Sequence, residues 1–222
     1  MKGPARIRKA LTPYLEQRPH LALAKYWIVI KPLHHIYRGV TFERLFSSGE
    51  FIASWSISPM FDRTHALALT NGKIVYAGHS ARFFLNDPAS LDAFFAEIDE
   101  HVVPMLEPVR SIDDFTAFVD GLSMRPPVAY FPRRYVKVLA ALGRFDEARE
   151  ISKAIAEGRN GWAPPDLKEA WGPIVTELHP LLQADDRVGV ADLLRRWEAE
   201  VAAKYGLLDI WEPTPFPFEI AS

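Results

Sequence analysis

The segment from 36 to 58, IYRGVTFERLFSSGEFIASWSIS, decides the fold. Two runs of alternating apolar and polar residues flank a four-residue turn signal at 47–50. A hairpin closed by this turn pairs Phe42 with Trp55, and directly opposed residues share one face of a sheet. The pattern predicts an antiparallel sheet that packs on its apolar face and leaves its polar face in water. The apolar face comprises Val40, Phe42, Phe46, Phe51, Trp55 and Ile57, and the polar face includes Thr41, Glu43, Ser54, Ser56 and Ser58.

The dipeptide Asn71-Gly72 predicts a second hairpin, because both residue types tolerate the positive φ of a two-residue turn. This hairpin pairs Leu69 with Ile74 and Leu67 with Tyr76, so that these four apolar side chains share a face. With an aromatic and β-branched strand at 26–30, the sheet has four or five strands.

The apolar period changes from 2 to 3.6 after residue 86, which predicts helices. Residues 4–18 form one or two further helices, with a break near residue 11. The helix signals after residue 86 are a start at Asp87-Pro88 or Ser90, a capping box at Ser111–Asp114, ends at Gly143, Gly158 and Gly206, and interruptions at Pro104, Pro173 and Pro180.

The sequence therefore predicts an α+β fold. An N-terminal antiparallel sheet of four to five strands packs against a C-terminal layer of four to six helices, in a single domain of 222 residues. The sheet-rich part covers about 20–86, the helical part about 87–206, and an apolar, proline-containing tail 207–222. We expect this tail to lie over its own chain or over a partner chain, because it is too apolar for water.

Composition excludes several classes of protein. The chain is 49% apolar and 24% charged, as in water-soluble globular proteins. It has no cysteine, which excludes disulfides, thiolate metal sites and cysteine nucleophiles. The sequence lacks both a bilayer-spanning apolar run and a secretory leader, so we expect a cytoplasmic protein that does not enter membranes. Its arginine and alanine content is typical of a GC-rich bacterial genome.

Charge is divided unevenly along the chain. Residues 1–50 hold nine Lys or Arg against three Asp or Glu, a net +6, while the remainder holds seventeen against twenty-five, a net −8. The basic segment either lies against the acidic body or contacts an acidic partner. An overall charge of −2, with aromatic residues at core periodicities, argues against nucleic-acid binding.

Four arginines are the candidate anion-binding or partner-binding residues. Arg38 and Arg44 share the parity of Val40, which places them on the apolar face. Either Gly39 marks a bulge and Arg44 lies at the sheet margin, or both arginines line a pocket for a carboxylate or phosphate. The other two, Arg133 and Arg134, begin a helix against the dipole preference and either contact an anion or form a solvated first turn.

Other motifs are incomplete. Gly78-His79-Ser80-Ala81-Arg82 partly resembles the nucleophile elbow of α/β-hydrolases, but Arg82 replaces the required second glycine. The run 141–148, ALGRFDEA, resembles the turn of a tetratricopeptide-type helical hairpin, with no second copy at a 34-residue period. Because His34 and His35 are adjacent in a strand, they point to opposite faces. We predict neither a metal site nor a cofactor.

Three functional hypotheses remain. The first is a non-enzymatic protein-binding module of a bacterial cytosol, such as an inhibitor, an immunity-type protein or an adaptor. The second is a hydrolase or transferase, with an anion pocket formed by Arg38, Arg44 and one of His34, His35 or His65. The third is a structural homodimer, which self-associates through the 207–222 tail or through its sheet edges.

Overall fold

The computed structural model describes residues 3–45, 49–63, 71–122, 131–158 and 168–220, except the side chains of 3–4, 44–45 and 168–170. The chain divides into two compact units. The sheet unit comprises Met1–Ser58, His65–Arg110 and Ala202–Glu212, and the helical unit comprises Pro59–Thr64, Ser111–Val201 and Pro213–Ser222. Folding of the whole chain as a single cooperative domain stays a prediction.

The sheet has the order β1-β2-β3-β4-β5, and a short β6 also pairs with β4. The ladders of β1 with β2, β2 with β3, β4 with β5 and β4 with β6 are antiparallel. With the helices that follow it, this sheet confirms the α+β class. The strands are β1 Leu21–Ala24, β2 Trp27–Ile30, β3 Ile36–Leu45, β4 Glu50–Pro59, β5 Gly72–Ile74 and β6 Phe83–Phe84.

The helical segments of the described residues outnumber the four to six that we predicted. They are α1 Gly3–Glu16, α2 Pro88–Glu97, α3 Val103–Leu106, α4 Ile112–Asp120, α5 Pro132–Ala141, α6 Phe145–Ala156, α7 Lys168–Pro173, α8 His179–Gln183, α9 Arg187–Tyr205 and α10 Pro217–Ile220. The capping box between Ser111 and Asp114 and the positive φ of Gly143, Gly158 and Gly206 confirm the predicted helix ends. None of the described helices has the length and apolarity needed to cross a membrane.

Prolines break these helices less than predicted. The helix α1 continues through Pro13, so the predicted break near residue 11 is wrong. A π-helical turn, Ile98–Val102, joins α2 to α3, so Pro104 does not end the helix. A second π-helical turn, Ile174–Leu178, precedes α8 and Pro180 in the same way. These wider turns carry the chain into each proline without a loop.

The predicted apolar face of the sheet is the core of the sheet unit. Its described members are at most 7% exposed, and Phe94 of α2 packs on them. The ring centroids of Phe94 lie 5.1 Å from Phe51 and 5.7 Å from Phe42. On the other face, Ser54 Oγ donates to Glu43 Oε1 at 2.5 Å, which agrees with the prediction that these two residues share a face. Phe46 and the turn at 47–48 lie outside the described residues.

The predicted polar face is largely buried, which is a correction. Thr41, Ser54, Ser56 and Ser58 are all at most 6% exposed, whereas Glu43 is exposed as predicted. Trp27 of β2 lies on this face beside Thr41 and makes an edge contact, at 5.2 Å, with Tyr205 at the end of α9. An aromatic pair therefore lies on this face, and the prediction that the whole face is solvated is wrong.

The Asn71-Gly72 turn is also a wrong prediction. Gly72 does not have the positive φ of that turn and instead pairs with Ser56 inside the β4–β5 ladder. A β-carbon on Gly72 would lie 1.9 Å from the carbonyl oxygen of Trp55, so this glycine allows a close approach of two strands. Asn71 is buried, and its carbonyl accepts from the amide of Ile57. Leu67 and Leu69 lie outside the described residues.

Candidate functional site

Arg38 is buried at 2% exposure on β3. Its Nη1 donates to the carbonyl oxygen of Glu107 at 2.9 Å and its Nη2 to that of Pro32 at 2.8 Å. Burial lowers the pKa of Arg38 and nearby Arg110 adds to that effect, while the Glu107 carboxylate opposes it. The guanidinium therefore ties the end of α3 to the segment before β3, and both of these bonds go to main-chain carbonyls.

The bulge that we considered at Gly39 is absent from the β2–β3 ladder. That register runs without interruption from Trp27–Thr41 to Val29–Gly39. A β-carbon at position 39 would lie 2.1 Å from the carbonyl oxygen of Ile28, so Gly39 permits close strand contact instead. The side chain of Arg44 lies outside the described residues.

Two histidines of the enzymatic hypothesis lie in the described residues, and the hydrogen bonds of Arg38 given above go to carbonyl oxygens and not to an anion. His34 Nε2 lies 3.3 Å from Glu212 Oε2, and His35 is 8% exposed. His65, the third histidine considered, lies outside the described residues. Among the described side chains there is also no cluster of three or more His, Asp or Glu that could hold a metal ion.

A buried ionic cluster lies at the start of α5. Asp62, from the segment after β4, accepts from Arg134 Nε at 3.0 Å and from the Lys137 ammonium. All three side chains are at most 2% exposed, and Arg133 beside them is partly buried. The prediction of a solvated first turn is therefore wrong for Arg134. This arginine contacts an anion, and the anion is a carboxylate of its own chain.

Lys137 has the chemistry of a reactive amine but not the access. Burial lowers the pKa of Lys137, Arg133 and Arg134 act in the same direction, and Asp62 opposes them. A lysine with a lowered pKa can act as a nucleophile or base, provided that a substrate reaches it. Since Lys137 is 2% exposed, the cluster instead clamps the residue-62 segment to α5.

A second polar cluster fixes α1 within the sheet unit. The Tyr14 hydroxyl donates to Asp99 Oδ1 at 2.7 Å, and Arg18 Nε donates to the same oxygen at 2.9 Å. The Tyr14 ring stacks on the Phe95 ring, with 3.9 Å between centroids, and the Arg18 guanidinium lies over the Tyr14 ring. Burial alone would raise the pKa of Asp99, but the two hydrogen bonds outweigh it and lower that pKa.

Ser152 and His179 form a hydrogen bond, with 2.9 Å between Oγ and Nδ1. The Ser152 hydroxyl also lies 2.9 Å from the carbonyl oxygen of Arg149. The hydroxyl has one proton, so it cannot donate to both the Arg149 carbonyl and His179. When it donates to the carbonyl, His179 must donate its Nδ1 proton to Ser152 and cannot act as a base at Nδ1. Ser152 is also fully buried, so a substrate cannot reach it.

Ser80, the serine of the elbow-like motif, lies in an exposed turn. Its main chain bonds reciprocally with that of Ala77, and its Oγ accepts from the amide of Arg82 at 3.2 Å. A turn bridged in this way is not the strand-to-helix junction that a nucleophile elbow needs. The motif is therefore a structural turn.

A shallow cavity of about 610 Å³ opens between the second π-helical turn, α8 and α9 in the helical unit. Its polar rim is largely engaged: Glu177 accepts from Arg196, and Arg63 lies 3.4 Å from the same carboxylate. The floor is made by Pro180, Leu181 and Leu193. The cavity has the volume of a ligand site but no convergent buried polar group.

Exposed apolar side chains lie on β5, on β6 and between them, along the two short strands that pair with β4. Ile74 pairs with Ser54 and Phe84 pairs with Glu50, so both side chains point to the same face. Ile74 is 40% exposed, Phe84 41%, and Tyr76, between them in sequence, 48%. We call these three residues the edge strip. The alternate residues Val75 and Phe83 point into the core at 1% and 2% exposure.

Sequence reasoning placed Arg38, Arg133 and Arg134 among the candidates but missed their partners. The sequence held one signal of the Asp62 cluster: Lys137 lies inside the apolar run 136–142 of an amphipathic helix. Tyr76 and Ile74 were predicted to share an apolar face with Leu67 and Leu69, and the structure exposes both. Comparison of the chain with protein-family models, with curated proteins and with solved structures gives no match.

Proposed function

We propose that this chain is a non-catalytic binding protein, which docks an acidic segment of another protein on the edge strip. The setting that fits the composition is a bacterial cytosol, with an inhibitor, an immunity-type protein or an adaptor as the class. The exposure of Ile74 on β5 and of Phe84 on β6, on the same face of two strands that both pair with β4, supports the proposal, together with the exposure of Tyr76, which follows β5.

The edge strip has the chemistry of an interface centre. Aromatic side chains are enriched at interfaces, and tyrosine above all among the residues that dominate binding energy. Ile74 and Phe84 of the strip lie on strands that pair with β4, whose residues from Ala53 to Pro59 are buried, so the strip is supported by the core of the sheet unit. A rigid support lowers the entropy that binding would cost.

The preference for an acidic partner follows from the charges beside the strip. Arg82, whose side chain is 68% exposed, pairs with Glu50 at the Phe84 end. The Arg6 guanidinium lies against Gly49, since a β-carbon there would come within 2.8 Å of its Nη2. Arg8 and Lys9 on the same helix are exposed. Arg82 and Arg6, the two of these cations that lie at the Phe84 end of the strip, favour an acidic segment and speed its association.

The buried polar clusters support a binding role over a catalytic one. In the described residues, Arg38, Lys137 and Ser152 each bond to a group of their own chain, and each is at most 2% exposed. An enzymatic site needs such groups at a cleft that a substrate can enter.

Peptide selection tests the proposal. Immobilised protein is offered a random library of displayed 12-residue peptides, and the affinity of enriched sequences is measured by fluorescence anisotropy. We expect acidic peptides with aromatic or aliphatic residues, whose affinity falls at least tenfold with Tyr76→Asp and also falls as salt is raised.

The matched control is Val188→Asp, at a residue that is 73% exposed in the helical unit. This variant should bind the selected peptides as the wild type does. Neutral or basic selected peptides, equal binding by Tyr76→Asp, or no enrichment above background would each overturn the proposal.

A further inference from the structure

The C-terminal tail docks on the turn of the α5–α6 hairpin. Phe216 is fully buried, and its ring centroid lies 6.2 Å from that of Phe61. Phe218 makes an edge contact with Phe145 at 5.0 Å. We call Phe61, Gly143, Phe145 and Arg195 the tail socket. The tail that we expected to cover its own chain or a partner therefore covers its own chain here.

The socket selects by shape at Gly143. A β-carbon at this position would lie 2.6 Å from Cβ of Phe218, so only glycine leaves room for the aromatic side chain. The φ of +76° at Gly143, which ends the hairpin's first helix, turns this bare backbone toward the tail. The resulting surface accepts two aromatic side chains that are two positions apart.

The socket also selects by charge. The Glu219 carboxylate accepts from the Arg195 guanidinium and, at 2.8 Å, from the amide of Phe216. One carboxylate thus holds the short helix α10 in shape and joins it to α9. The recognised pattern is an aromatic residue, any residue, a second aromatic residue and then an acid.

We infer that the tail socket is a recognition site for partner segments of this pattern, and that the chain's own tail occupies it in cis. The docked segment is short, reaches the socket through Pro213 and Pro215, and ends at Ile220, which is 72% exposed. The free energy gained by burying two phenylalanine side chains is similar in size to the free-energy cost of the conformational entropy lost when such a segment is ordered. The docked tail is therefore in equilibrium with a free one, and a matching segment competes for the socket.

The test uses the full chain with the double substitution Phe216→Ala and Phe218→Ala, which vacates the socket. The probe is a fluorescein-labelled peptide of residues 213–220, PTPFPFEI, followed by anisotropy. We expect saturable binding to the vacated chain and at least tenfold weaker binding to the wild type. The same peptide with both phenylalanines replaced by alanine should not bind, and Arg195→Ala in the vacated chain should weaken binding about tenfold.

A vacated chain that keeps the wild-type circular dichroism and does not bind the peptide would overturn the inference. If the vacated chain unfolds, hydrogen exchange on the wild type decides. We expect the amides of Phe216, Phe218 and Glu219 to exchange at least a hundredfold faster than those of α5, and equal protection would show a permanent core segment. Concentration-dependent doubling of the wild-type mass would instead assign the socket to the tail of a second copy. Each outcome is independent of binding at the edge strip.

Discussion

Asp62 and Lys137, 75 positions apart in the chain, hold each other as a buried ion pair from which solvent is excluded. Asp62 also binds Arg134, so two cations share one carboxylate. A charge that is buried without its partner costs several kcal/mol, which makes the carboxylate the critical member.

Asp62→Asn should therefore lower the free energy of unfolding by about 3–5 kcal/mol, because two cations lose their counter-charge. Lys137→Met should cost only about 1 kcal/mol, since Asp62 keeps Arg134 and methionine keeps the packing volume. Urea unfolding followed by circular dichroism measures both. Similar costs for the two variants would contradict this description of the cluster.

Residues of this cluster show how far the sequence could predict the site. The basic pair 133–134 was visible at a helix start, because helix ends carry local signals. The carboxylate that binds Arg134 lies 72 positions away, and one sequence carries no information on that pairing. Arg38 was placed on the buried face by strand parity, but its carbonyl partners depend on how α3 ends beside β3.

The fold shows the same division between local and distant causes. The capping box at Ser111 and the glycine ends at Gly143 and Gly158 were predictable because each depends on a few adjacent residues. The burial of Ser54 and Ser56 was not, because alternation with apolar residues indicates an exposed face, and Tyr205, which packs on Trp27 of that face, comes about 150 residues after the serines. Asn71-Gly72 has turn chemistry, and strand pairing with β4 overrides it.

Gly72→Ala tests this reinterpretation of the dipeptide. The new β-carbon would meet the Trp55 carbonyl oxygen, so we expect a loss of roughly 3 kcal/mol in the free energy of unfolding. Gly78→Ala is the control, because its site is open and only its φ of +60° is strained, at about 1–2 kcal/mol. A smaller loss for Gly72→Ala than for Gly78→Ala would restore the exposed-turn interpretation.

Gly143→Ala and Gly158→Ala form a second matched pair. Both glycines follow a helix with positive φ, +76° and +65°, so alanine strains each by about 1–2 kcal/mol. Only Gly143 contacts Phe218, whereas nothing lies within 4 Å of a β-carbon at Gly158. The Gly143 variant should lose more than the Gly158 variant in chemical denaturation, by the free energy with which the tail docks. Equal losses would mean that the tail does not press on the hairpin turn.

The Asp99 cluster predicts a dependence of stability on acid. Because hydrogen bonds from Arg18 and Tyr14 hold the pKa of Asp99 below its ordinary value, its contribution is complete above the unfolded pKa of about 3.9. The contribution is lost as the pH falls through the lower folded pKa. Asp99→Asn should be less stable than the wild type at pH 6, and the difference should shrink below about pH 4. A difference that grows in acid would reverse the sign of the predicted pKa shift.

The most direct test of binding at the edge strip is chemical-shift mapping with an isotopically labelled full chain and a selected acidic peptide. We predict the largest amide shifts in 72–84, around Ile74, Tyr76 and Phe84, with little change in α9 between 187 and 201. Shifts that centre on the helical unit, or that persist unchanged in Tyr76→Asp, would contradict the account.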